Sequence, residues 1–137
     1  MTHKLNTILL VDDSESVNFI HSRIIKKAKC AQNCVAVTDG QKALDFLQSK
    51  ENEQHPKPNL ILLDINMPGM DGWEFAERHN KLPSNQQADI VVLMLTASLN
   101  RDDELKVEQL NYIDGVCVKP LTIEIMTELV ERYFPSN

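Results

Sequence analysis

Five short apolar stretches constrain this chain more than any other feature: residues 7–11 (TILLV), 34–37 (CVAV), 60–63 (LILL), 90–95 (IVVLML) and 116–118 (VCV). Each is continuous rather than alternating, the pattern of a strand covered on both faces. The segments between them have helical period. Val17, Ile20, Ile24 and Ala28 share one face of a first helix, with Ser14 placed to cap it. Ala43, Leu44 and Leu47 mark a second helix after the Asp39-Gly40 turn. Trp73, Phe75 and Ala76 mark a third, started by Met67-Pro68-Gly69, and Met126, Leu129, Val130 and Tyr133 a last one capped by Thr122. Residues 101–110 have only Leu105, Val107 and Leu110 to bury, so a helix there is expected to be loosely held. Residues 49–59 are polar, carry Pro56 and Pro58, and read as an exposed loop. Strands alternating with helices imply right-handed crossovers and a parallel sheet covered on both sides, an α/β doubly wound architecture.

The 137 residues are read as a single domain, 1–137, large enough at 42% hydrophobic to build a core without disulfides or metal staples. Fourteen Lys+Arg against 20 Asp+Glu leave a formal charge of −6, which argues against nucleic acid or an anionic membrane as partner. The longest apolar runs, residues 8–11 and 90–95, are too short to span a bilayer. The N-terminal residues lack a signal-peptide apolar region, and the three cysteines lack C-x-x-C spacing. Both point to a reducing, cytoplasmic location.

In doubly wound sheets ligands bind at the carboxyl ends of the strands. Here the first strand ends in Asp12-Asp13, the third in Asp64, the fourth in Thr96 and the fifth in Lys119-Pro120. Each alone reads as a cap, a turn or a solvated charge; together they place three carboxylates, a hydroxyl and an ammonium on one rim. Two carboxylates about 4 Å apart repel by roughly 4 kcal/mol at an effective dielectric of 20, so such a cluster calls for a cation. All-oxygen ligands on a rigid rim suit Mg2+. The Lys and Thr donors opposite it suit a phosphoryl group.

Other chemistries fit less well. Gly40, Gly69, Gly72 and Gly115 form neither a dinucleotide fingerprint nor a P-loop. His3, His21, His55 and His79 lack zinc-ligand spacing and are expected on the surface. Cys30, Cys34 and Cys117 read as buried or idle thiols.

The runs ILLVDD (8–13), LLDINMPGMDG (62–72), LTA (95–97) and VKP (118–120) resemble the receiver domain of two-component response regulators, the family that includes the chemotaxis regulator. The resemblance covers nearly the whole chain and implies a flavodoxin-like sheet of strand order 2-1-3-4-5. It implies that Asp64 accepts a phosphoryl group from a sensor histidine kinase or phosphotransfer protein. Asp13, Asp64 and the backbone carbonyl of Asn66 would ligate Mg2+, with Asp12 acting through a water. Thr96 and Lys119 would bind phosphoryl oxygens, Asn66 and Ser98 would tune the lifetime of the acyl phosphate, and the Lys119–Pro120 bond would be cis. One residue departs from the pattern: the aromatic usual three places before the Lys is Val116, and Tyr112 is out of register. Any switch is therefore expected to run through residues 97–110. The face formed by that helix, the fifth strand and the last helix is the expected surface for an unidentified downstream protein.

The reading is a stand-alone signalling phosphoacceptor that assists only its own phosphorylation and dephosphorylation, with no length left for an output domain. A Mg2+-dependent phosphohydrolase with an Asp nucleophile is the enzymatic alternative. It would want a second acid where this chain has Asn66. A receiver-like docking module that is never phosphorylated is the third.

Overall fold

The computed structural model describes residues 5–96 and 100–135. Strands and helices alternate along the chain: β1 (Leu5–Val11), α1 (Glu15–Ala28), β2 (Ala31–Val37), α2 (Gly40–Gln48), β3 (Leu60–Asp64), α3 (Gly72–Asn80), a 3-10 turn (Ser84–Gln86), β4 (Ile90–Leu95), α4 (Arg101–Gln109), β5 (Gly115–Val118) and α5 (Ile123–Tyr133). The strands pair in parallel as one sheet of order β2-β1-β3-β4-β5. Side chains alternate across a strand, so the continuous apolar runs of β1, β3 and β4 each feed two cores. Leu9, Val11, Ile61, Leu63 and Leu93 pack with Leu47 of α2 and Phe75 of α3 on one face. Ile8, Leu10, Leu60, Leu62 and Val92 pack with Ile25 of α1 and Met126 of α5 on the other.

The edges depart from the sequence reading. β5 was expected to be covered on both faces, but it alternates half-buried with exposed residues, leaving Val116 40% and Val118 48% exposed. It is an edge strand, and its neighbour α4 buries no residue. At the other edge β2 starts at Ala31, ahead of its apolar run, with Gln32 and Asn33 exposed. The third helix begins at Gly72 behind an Asp71 cap, not at Met67-Pro68-Gly69. Those residues form a turn in which Gly69 takes φ +76°, a conformation that favours glycine.

The buried stripe of α1 is rotated from the expected one: Ile20 is exposed, while Asn18, His21 and Ile25 are buried. Polar groups can occupy core positions when they are hydrogen-bonded. Asn18 Nδ2 donates to the carbonyls of Asp12 at 3.0 Å and Val37 at 3.2 Å. His21 Nε2 accepts from the Leu121 amide at 3.3 Å. His79 is also buried, stacked on Phe75 and accepting from the Ala88 amide through Nε2 at 2.9 Å. The expectation of surface histidines is thus overturned for His21 and His79. His55 is half-buried, its Nδ1 paired with the Ser49 carbonyl at 2.8 Å, and His3 lies outside the described residues. Among the described residues, no helix is long and apolar enough to cross a membrane.

Candidate functional site

Parallel strands bring their carboxyl ends to one rim, and five of the residues singled out in the sequence lie there. Asp12 and Asp13 follow β1, Asp64 ends β3, Thr96 follows β4 and Lys119 follows β5. A carboxylate oxygen from each of Asp12, Asp13 and Asp64 lies within 4.8 Å of the others. Asp12 and Asp64 are buried and Asp13 is exposed. The Lys119 Nζ joins two of the acids, donating to Asp12 Oδ2 at 2.6 Å and Asp64 Oδ1 at 3.1 Å. Burial, and then the negative charge of Asp12, raise the Asp64 pKa, with Lys119 opposing and Asp13 adding. Burial alone would lower the Lys119 pKa, but hydrogen bonds to and charge on Asp12 and Asp64 outweigh it and the net shift is upward. The ammonium therefore stays charged while the carboxyl beside it is less acidic than usual.

Local sequence builds this rim. Asp12 Oδ1 accepts from the Ser14 amide at 2.9 Å, and Ser14 in turn caps α1 through the Val17 amide at 3.2 Å. The Lys119 amide donates to the Leu95 carbonyl at 2.7 Å, extending the β4–β5 ladder to the residues beside Thr96. The Lys119–Pro120 peptide is cis. After Asp64 the chain turns back, and the Gly72 amide donates to the Ile65 carbonyl at 2.8 Å. A Cβ on Gly72 would meet the Asp64 carbonyl oxygen at 2.5 Å and Ile65 Cα at 2.7 Å, so only glycine lets α3 start this close behind Asp64.

Thr96 and Asn66 are exposed on this rim, while Ser98 lies outside the described residues. Val116 pairs with Leu93 in the ladder and points no aromatic ring toward the site. Tyr112 is packed against the core shared by α2 and α3. Cys30, Cys34 and Cys117 are free, and burial pushes Cys34 and Cys117 up to about 11, so neither supplies a thiolate at neutral pH. The residue overlooked in the sequence is Asn18, whose amide holds the Asp12 carbonyl. Its one signal is a polar residue six places after Asp12, where the helical period could equally have buried an apolar one.

A family model described as the response regulator receiver domain matches residues 8–131. The response regulator Rcp1 of Synechocystis sp. is 38% identical over 97 residues, which span 70% of this chain and 65% of that protein. The chemotaxis protein CheY of Pseudomonas aeruginosa is 30% identical over 133 residues, covering 93% of this chain and 94% of that one. Among solved structures, a response regulator receiver protein from Dyadobacter fermentans superposes with a TM-score of 0.79 at 29% identity, over 95% of this chain and 98% of its own. The receiver domain of a sensor histidine kinase from Pseudomonas aeruginosa, solved with a magnesium ion coordinated in its active site cleft, has a TM-score of 0.75 at 17% identity, over 96% and 98%. Through the family match, which runs from β1 into α5, the chain belongs to the response regulator receiver domains.

Proposed function

We propose that this receiver domain is a phosphoacceptor that takes a phosphoryl group on Asp64 and passes the signal on by protein–protein contact. The observation that carries the reading is the bond from Lys119 to both Asp12 and Asp64 inside a cluster of three carboxylates. In the proposed reaction a carboxylate oxygen of Asp64 attacks the phosphorus of a phosphohistidine in line. The new O–P bond forms as the P–N bond breaks, and the imidazole nitrogen keeps the electron pair. Asp64 is fixed at the end of a fully buried strand, which supplies orientation. Lys119, already within hydrogen-bond distance of the nucleophile, binds one equatorial oxygen, and the Thr96 hydroxyl another.

The donor set fits Mg2+: oxygen ligands only, two of them buried and one open to water. Asp13, Asp64 and the Asn66 carbonyl would hold the ion, with Asp12 one water away. Bound there, Mg2+ supplies positive charge against the carboxylates and the incoming phosphoryl oxygens. The magnesium in the cleft of the Pseudomonas kinase receiver supports Mg2+ as the ion. The proposed donor is a histidine kinase or phosphotransfer protein in the cytoplasm. The downstream partner would meet the side of the molecule where Leu105, Val116, Val118 and Ile123 are exposed.

A phosphohydrolase using the same nucleophile would turn over; a phosphoacceptor is labelled. Incubation with acetyl phosphate and Mg2+ is expected to give one phosphate per chain by intact mass. Continuous release of phosphate from varied monoesters, with no labelled chain, would favour the hydrolase.

A further inference from the structure

α1 follows directly on the two acids, and its buried face carries two polar side chains where apolar ones would pack. Asn18 holds the backbone of Asp12 and of Val37. His21, only 3% exposed, accepts from the amide of Leu121, which lies two residues past Lys119 and 100 residues from His21 in the chain. Because Nε2 accepts, the ring is the neutral tautomer with its proton on Nδ1. The Lys119 loop is thus held at both ends, by the Leu95 carbonyl through its own amide and by His21 through that of Leu121. A lysine side chain has about 2 kcal/mol of rotamer freedom to lose, so its Nζ reaches Asp12 and Asp64 together only if its backbone is fixed.

We propose that His21 is a positioning residue: it fixes the loop after β5 against α1 so that Lys119 addresses both Asp12, whose backbone α1 holds through Asn18, and Asp64 at the end of β3. The inference rests on the phosphoacceptor reading of Asp64 and Lys119. An apolar residue at position 21 would fill the volume but give the Leu121 amide no acceptor, and a displacement of about 1 Å at a reacting group can cost on the order of a hundredfold in rate.

The test compares His21→Gln, whose side-chain carbonyl can accept from the Leu121 amide, with His21→Met, which has similar length and no comparable acceptor. Labelling by acetyl phosphate with Mg2+ is followed by intact mass, and Mg2+ affinity is measured on the unlabelled proteins. His21→Met should label about ten- to a hundredfold more slowly with Mg2+ binding no weaker, and His21→Gln should regain most of the rate. A wild-type rate in His21→Met overturns the proposal, as does a loss of rate and Mg2+ affinity in step that Gln does not rescue. If His21→Met fails to fold, amide exchange of Leu121 in the wild type decides. Protection kept on adding beryllofluoride supports the proposal, and protection lost overturns it. A wild-type chain that takes no phosphate at all removes the phosphoacceptor reading instead. Leu121 exchange in the two variants, faster in Met than in Gln, still tests the clamp.

Discussion

His79 accepts the Ala88 amide while stacked on Phe75, and an accepting ring nitrogen cannot also carry a proton. Burial lowers its pKa to about 4. Its folded-state value is therefore below the unfolded value of about 6.5, so its contribution to stability is complete above pH 6.5 and is lost as pH falls toward 4. Over that interval the loss is about 3 kcal/mol. Urea unfolding at pH 7 and pH 4.5 should show His79→Gln less stable than wild type at pH 7 and losing less on acidification; equal losses in the two proteins would contradict it. The same residue marks what sequence alone could not reach. Asp12, Asp64, Thr96 and Lys119 were legible because each directly follows or ends an apolar strand. The roles of His21 and His79 depend on backbone amides in other elements, at Leu121 and Ala88, and no helical period points to those partners.

α4 forms although it has no fully buried residue, with Val107 half-buried against the core. Its N-terminus adds to that thin packing: Asn100 accepts from the Asp103 amide at 2.8 Å, and Asp102, Asp103 and Glu104 lie in the first turn, at the positive end of the helix dipole. The sequence places a helix with three apolar residues here; the helix forms, and of the three Val107 and Leu110 pack against the core while Leu105 is exposed. What the sequence could not show was the contact across to α3, where Lys106 Nζ lies 4.5 Å from the centre of the Trp73 ring. Such a contact is worth about 0.5–1 kcal/mol at an exposed site, enough to bias a loosely packed helix and too little to lock it. With no aromatic at Val116 to swing, the proposed phosphorylation is expected to be read out by movement of α4. Trp73 is the chain's one tryptophan, so its fluorescence reports on this contact. Beryllofluoride with Mg2+ should change Trp73 emission, Lys106→Ala should diminish that change, and amide exchange should respond more in α4 than in α1. A response confined to Asp12, Asp13 and Asp64 would mean the domain binds phosphate without switching.

At the scale of the whole molecule, the continuous apolar runs of β1, β3 and β4 fixed a sheet with two covered faces, and the parallel order placed one rim at its carboxyl ends. The edge strands were less legible, because a short apolar run reads the same whether a helix covers it or solvent does. β5 is the instance, with Val116 and Val118 exposed to water. Phosphoryl transfer at the rim comes down to one carboxylate among three. Intact mass after acetyl phosphate treatment, with and without Mg2+, tests it on the wild type, Asp64→Asn and Asp13→Asn. One added phosphate is expected on the wild type only when Mg2+ is present, none on Asp64→Asn, and a reduced yield on Asp13→Asn. Labelling of Asp64→Asn equal to that of the wild type would contradict it.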